Sequence, residues 1–211
     1  MKNFRPIGVD EMRRRFALAE IDSSVFTKKD TASPNRRILT EKEKEELRTK
    51  LLSGNRQEVS DAIGKHCHGA FVYQNIILPR KVRDWYLADL DAIPDEFKNL
   101  QVVRTGYWRC ISNGTYKLTE AANNLIKKES VDPQTKRIKD TISILDNGGS
   151  VNLEGIILVC EESDESNGPW EILEGHARLV AIYLQLMDKG YLTMNGVRLT
   201  SVQVILGEYQ Q

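Results

Sequence analysis

An uninterrupted apolar run, Gly155-Ile156-Ile157-Leu158-Val159-Cys160, limits the chain more than any other segment. A run this short, closed by the polar stretch from Glu161 to Pro169, reads as a buried strand. The residues around it supply the rest of a unit. Trp170-Glu171-Ile172-Leu173 reads as a second short strand, broken by Gly175. From His176 to Lys189 the apolar residues Leu179, Ala181, Ile182 and Leu186 recur at helical spacing, and Gly190 closes the helix. Val202 to Leu206 reads as a last strand. Before the run, Pro133 can open a helix with Ile138, Ile142 and Leu145 inward, stopped at Asn147-Gly148-Gly149. The fold class is therefore α/β, with a small mixed sheet.

The chemistry of this unit lies at Glu174-Gly175-His176-Ala177-Arg178. Gly175 permits a φ that other residues avoid, so the strand can reverse tightly into the helix. The helix start offers unpaired N–H groups and the positive end of its dipole, which together favour an anion. Arg178 falls in the first turn, where it can add a bidentate contact to phosphate, and His176 can donate a further hydrogen bond. Glu174 is the candidate catalytic residue: a carboxylate here can orient Mg²⁺ or act as a base on a hydroxyl. The plainer alternative is a tight turn followed by a surface arginine, with Glu174 bonding backbone N–H groups.

The element order and this motif, from about Lys136 to Glu208, resemble the ParB/sulfiredoxin-like superfamily. The resemblance implies a turn that binds nucleotide phosphates, with Gly175, His176 and Arg178 at the phosphates. It implies a nucleoside triphosphate, CTP or ATP, as ligand, with Mg²⁺ as a candidate cofactor. It also implies DNA or a DNA-bound protein as candidate partner. The chain departs from the pattern in two ways. ParB proteins usually carry Gly-Glu-Arg-Arg at this turn, and sulfiredoxins Gly-Cys-His-Arg; here His176 stands where the reactive cysteine would be. ParB segregation proteins also continue into a helix-turn-helix domain, and none is expected here after the last strand. The leading expectation is a nucleotide-binding regulatory or DNA-associated module. Its alternatives are a phosphotransferase or NTPase acting on a small molecule, and a non-catalytic interaction scaffold.

Upstream the signals are weaker. Residues 1–39 are mixed and basic-polar with Ser33-Pro34-Asn35 as breaker, and are expected to form a loosely ordered arm. Residues 40–130 are expected to be mainly helical, and 131–211 to form the nucleotide-binding region. Thr40 with Glu43 is a capping-box pattern opening a helix from Glu41 to Leu52, which ends at Gly54-Asn55. A second helix covers Gln57 to Lys65, and Phe71 to Leu78 reads as a strand. Val82, Trp85, Tyr86 and Leu90 stand at helical spacing, and Thr115 to Lys128 reads as another helix.

Other candidates are outweighed. His66-Cys67-His68 lacks the spacing of a metal site, so none is expected. Trp108-Arg109 with residues 112–115 can form a second ligand rim, or simply a core Trp beside a helix cap. The basic clusters at Arg80–Arg83 and Lys136–Lys139 are diluted by Asp84, Asp89 and Asp140. The chain of 211 residues carries 30 Lys plus Arg against 30 Asp plus Glu, which argues against a strongly basic nucleic-acid binder. Widely spaced Cys67, Cys110 and Cys160, no secretory signal and no long apolar run lead to the expectation of a cytoplasmic protein with no membrane partner.

Overall fold

The computed structural model describes residues 1–21, 27–29, 36–65, 81–127, 133–161 and 169–209. In chain order the strands are β1 (Lys2–Ile7), β2 (Thr27–Lys29), β3 (Arg36–Ile38), β4 (Asp84–Asp91), β5 (Leu100–Val102), β6 (Ile157–Glu161), β7 (Trp170–Glu174), β8 (Leu192–Met194), β9 (Val197–Leu199) and β10 (Ser201–Tyr209). The helices are α1 (Val9–Glu20), α2 (Glu41–Ser53), α3 (Arg56–Lys65), α4 (Pro94–Phe97), α5 (Gly106–Ile111), α6 (Leu118–Lys127), α7 (Pro133–Asp146) and α8 (His176–Lys189).

The protein is mixed α/β. Six strands form one sheet in the order β1-β4-β10-β6-β7-β5. β10 lies near its middle, antiparallel to β4 and parallel to β6. The apolar run around β6 is buried throughout, as its composition requires. Alternate residues of β6 face opposite layers. Ile157 and Val159 join Leu87, Trp85 and Ile205 against Met12 and Phe16 of α1. Leu158 joins Leu90, Ile172 and Leu206 against α6, α7 and α8. The other side of α1, Ala17 and Ile21, packs on Leu47 and Leu51 of α2 and on Val59 and Ile63 of α3. The layers therefore run α2/α3, α1, sheet, then α6 to α8.

The capping box that opens α2 is present: the Thr40 hydroxyl accepts from the Glu43 N–H, and the Glu43 carboxylate accepts from the Thr40 N–H. The strand, turn, helix and strand from β6 to β10 stand where the sequence places them.

Two upstream expectations need correction. The segment with Val82, Trp85, Tyr86 and Leu90 is not a helix but strand β4. Trp85 and Leu87 bury into the α1 layer, and Ala88 and Leu90 into the other. A strand covered on both faces has no polar alternation, and its aromatic residues then mimic a helical stripe. The expected arm over residues 1–39 holds an edge strand, β1, paired antiparallel with β4, and a helix, α1, whose Met12 and Phe16 are fully buried. The region 40–130 is mainly helical among its described residues, and it also contributes β4 and β5 to the central sheet. The strand expected at Phe71–Leu78 and the cluster His66-Cys67-His68 lie outside the described residues.

Candidate functional site

The turn from β7 into α8 is built as its glycine demands. Gly175 has φ +94°, and a Cβ there would come within 2.9 Å of the Ile156 side chain. Its N–H donates to Oε1 of Glu174 at 2.9 Å, and its carbonyl accepts from the Leu179 N–H. No side chain caps the start of α8, so its first N–H groups have no side-chain acceptor at the turn.

That turn opens into a cavity of about 370 Å³. Glu174, Gly175, His176, Ala177 and Arg178 all line it. Facing them are Ala19 and Glu20 from the end of α1, Trp108 of α5, Arg137, Ile138, Thr141 and Ile144 of α7, and the loop residues Ser150 to Asn152. α1 reaches the cavity because Gly155 lets the loop before β6 pass close to it. A Cβ on Gly155 would lie 2.4 Å from that of Ala19.

The motif residues are largely committed to the protein itself. Val103 N–H donates to Nε2 of His176 at 3.1 Å, and the backbone of Ile172 hydrogen-bonds the same imidazole. The ring stacks on Trp108, with centroids 4.9 Å apart and planes 21° apart. Burial, more than any other influence, lowers the His176 pKa from 6.5 to about 4, so at neutral pH the ring is uncharged. The hydrogen bond expected from His176 to a phosphate is thus taken up by the backbone: the imidazole clasps the β7–α8 turn to the end of β5.

Arg178 likewise points at protein. One guanidinium nitrogen donates to the carbonyls of Asn152 and Glu154 at 3.0 and 2.5 Å. The other nitrogen lies 3.6 Å from Oε1 of Glu174, and the side chain is 15% exposed. It anchors the loop that roofs the cavity while one edge remains in the cavity lining. Glu174, accepting from Gly175 and facing Arg178, does the strand-end work that was the plainer alternative for it.

Two lining groups escaped the sequence reading. Glu20 is 2% exposed, and burial first, then the neighbouring Glu174 carboxylate, raises its pKa from 4.5 to about 7; Arg178 and Arg137 pull it back down. Its signal was present: Met12, Phe16 and Glu20 recur every four residues, so a carboxylate sits on an apolar helical stripe. Arg137 stood only within a basic cluster and is the more exposed cation of the cavity.

The rim expected at residues 108–115 does not assemble. Trp108 alone reaches the cavity, and Arg109 is exposed. Ser112 donates to the Trp108 carbonyl and accepts from the Tyr116 N–H, and Thr115 accepts from the Lys117 N–H, so these hydroxyls organise the turn into α6. Among the described residues no group of three or more His, Cys, Asp or Glu is placed to hold a metal ion, and no helix is long and apolar enough to cross a membrane. Comparison of the chain with protein-family models, with curated proteins and with solved structures finds no match.

Proposed function

We propose that this cavity binds a small phosphate-bearing ligand of the nucleotide class, and that the protein is a nucleotide-binding regulatory or DNA-associated module of the ParB/sulfiredoxin-like kind. The observation that carries the reading is convergence. The uncapped start of α8, the Arg178 edge and Arg137 line one cavity, whose volume of about 370 Å³ suits a small ligand. Thr141 and Ser150 add hydroxyls, and Trp108 and Ile144 give apolar wall for the uncharged part of a ligand. Arg137 takes the role of the phosphate-seeking cation, because Arg178 is occupied with the loop carbonyls. A Mg²⁺ ion would enter mainly on the ligand's own phosphate oxygens, since Glu174 is engaged by Gly175 and Arg178.

One observation favours a second reading, a phosphotransferase acting on a small molecule. A carboxyl group with a pKa near 7 in a ligand-sized cavity is suited to take a proton from a hydroxyl, and Glu20 is such a group.

A thermal-shift screen with ATP, CTP and their diphosphates, each with and without Mg²⁺, tests the first reading, because a ligand of the folded state raises its melting temperature. At least one nucleotide is expected to stabilise the wild type, and Arg137→Ala is expected to reduce its affinity about ten- to hundred-fold. If no nucleotide shifts the wild type, or Arg137→Ala binds as well as it does, the reading fails. Hydrolysis or transfer of the terminal phosphate, lost in Glu20→Gln, would select the phosphotransferase.

A further inference from the structure

The loop from Ser150 to Glu154 roofs the pocket at the start of α8, and both of its ends are pinned. At one end the Gly148 carbonyl accepts from the Asn195 N–H at 3.2 Å. At the other, Gly155 packs against Ala19 too closely to leave room for a Cβ. Between these points Ser150, Asn152 and Glu154 are exposed, and Val151 and Leu153 are half-buried against the core. Arg178 holds the middle, where its Nη1 donates to the carbonyls of Asn152 and Glu154. We infer, on the basis of the phosphate-bearing ligand proposed above, that a phosphate entering the pocket competes with these two carbonyls for Arg178, so that ligand binding releases the loop. The loop is then a lid, and Arg178 is its latch.

The competition favours the phosphate. In the bonds to the loop only the donor is charged. A phosphate oxygen brings charge on the acceptor as well, and two such oxygens match two nitrogens of the guanidinium fork. Any grip by two adjacent nitrogens includes Nη2, which now faces Glu174 at 3.6 Å. The guanidinium is planar and turns as one body, so presenting Nη2 to a phosphate swings Nη1 out of line with the two carbonyls. The loop also has room to move. Ser150, Val151 and Asn152 line the ligand pocket. Leu153, Glu154 and Gly155 line a further cavity of about 130 Å³, shared with Arg15 and Gln203. Unfilled space therefore borders the loop on two sides, and a short shift between its pinned ends meets no packed wall.

Hydrogen exchange of the full chain, read by mass spectrometry without nucleotide and with saturating ATP or CTP plus Mg²⁺, follows the pocket and the lid separately. With a nucleotide, amides of residues 176–179 are expected to exchange more slowly, and those of 151–154 about tenfold faster, as the loss of charge-assisted bonds to the loop requires. A ligand that merely covered the loop would slow both. In Arg178→Ala the lid is expected to exchange at the fast rate without nucleotide and to gain nothing from it. Arg178→Lys keeps the charge and replaces the planar fork by a point charge, so its lid is expected to lie between the two. Slow exchange at residues 202–206, buried in β10 apart from Gln203, marks a variant as folded; if Arg178→Ala loses it, Arg178→Lys carries the test. Slower exchange at 176–179 with an unchanged or slower lid would overturn the inference and leave nucleotide binding standing. So would wild-type lid exchange in the folded variants. No change at 176–179 with either nucleotide would bring down the ligand reading and the lid with it.

Discussion

Replacing Glu20 by Gln should change how the stability of this protein depends on pH. The Glu20 carboxyl is raised from 4.5 to about 7, chiefly by burial and then by Glu174. The folded state therefore binds this proton more tightly than the unfolded state does. The resulting stabilisation is fully present below pH 4.5 and is lost as pH rises to 7. The rise from 4.5 to about 7, at about 1.4 kcal/mol per tenfold change in proton affinity, gives on the order of 3 kcal/mol. His176 works in the opposite sense. Its pKa is lowered from 6.5 to about 4, chiefly by burial, so its contribution is present above pH 6.5 and lost as pH falls to 4. Between pH 4.5 and 6.5 the two slopes oppose each other and nearly cancel. Glu20→Gln keeps the shape of the side chain and removes its titration, which leaves the His176 slope exposed. Melting temperatures measured by calorimetry from pH 4 to 8 should then rise steeply for the variant up to about pH 6.5 and level off. At pH 8 the variant should exceed the wild type by roughly 5–10 °C, since a buried carboxylate no longer has to ionise. Parallel curves for the two proteins would refute the reasoning, because they would mean that Glu20 binds its proton equally in the folded and unfolded states.

Arg178→Ala should lower stability as well as binding, by about 1.5–3 kcal/mol, because it removes charge-assisted hydrogen bonds to the carbonyls of Asn152 and Glu154; urea unfolding checks this, and an unchanged midpoint would mean that the loop does not depend on the guanidinium. Gly175→Val should be worse, by roughly 3 kcal/mol or more, because a β-branched residue is placed at φ +94° with its Cβ against Ile156; wild-type stability in that variant would show that the turn relaxes to another conformation.

How much of this was legible in the sequence follows from where each element finds its partner. α7, β6, β7 and α8 are each bounded in the sequence by a Gly, Pro or Asn, and each buries an apolar face or run, so there the local pattern and the final structure agree. The start of α2 was equally readable because the capping box is complete within four residues, Thr40 to Glu43. β4 was not readable, because the reason it is a strand lies in β1 and β10, which supply its hydrogen bonds from far along the chain. The hairpin of β8 and β9 carried a local signal that went unused. Asn195-Gly196 takes positive φ at both residues, 50° and 74°, as a tight two-residue hairpin turn requires.

The candidate site divides along the same line. The motif from Glu174 to Arg178 was visible because a strand, a glycine and a helix start follow one another in sequence, and all of its residues do line one cavity. What those side chains bond to was not visible. Arg178 finds its acceptors 24 and 26 residues upstream, and His176 finds Val103 73 residues upstream. A spacing argument aims such groups at a ligand because it cannot see the backbone that competes for them. Glu20 was hidden for a related reason. Among Arg13, Arg14 and Arg15 on one side and polar residues on the other, its helix reads as a solvated arm until Met12 and Phe16 are given a sheet to bury against. Once α1 is docked, the next position on that stripe lies beside the turn into α8. A carboxylate held there is desolvated by the same packing that fixes the helix.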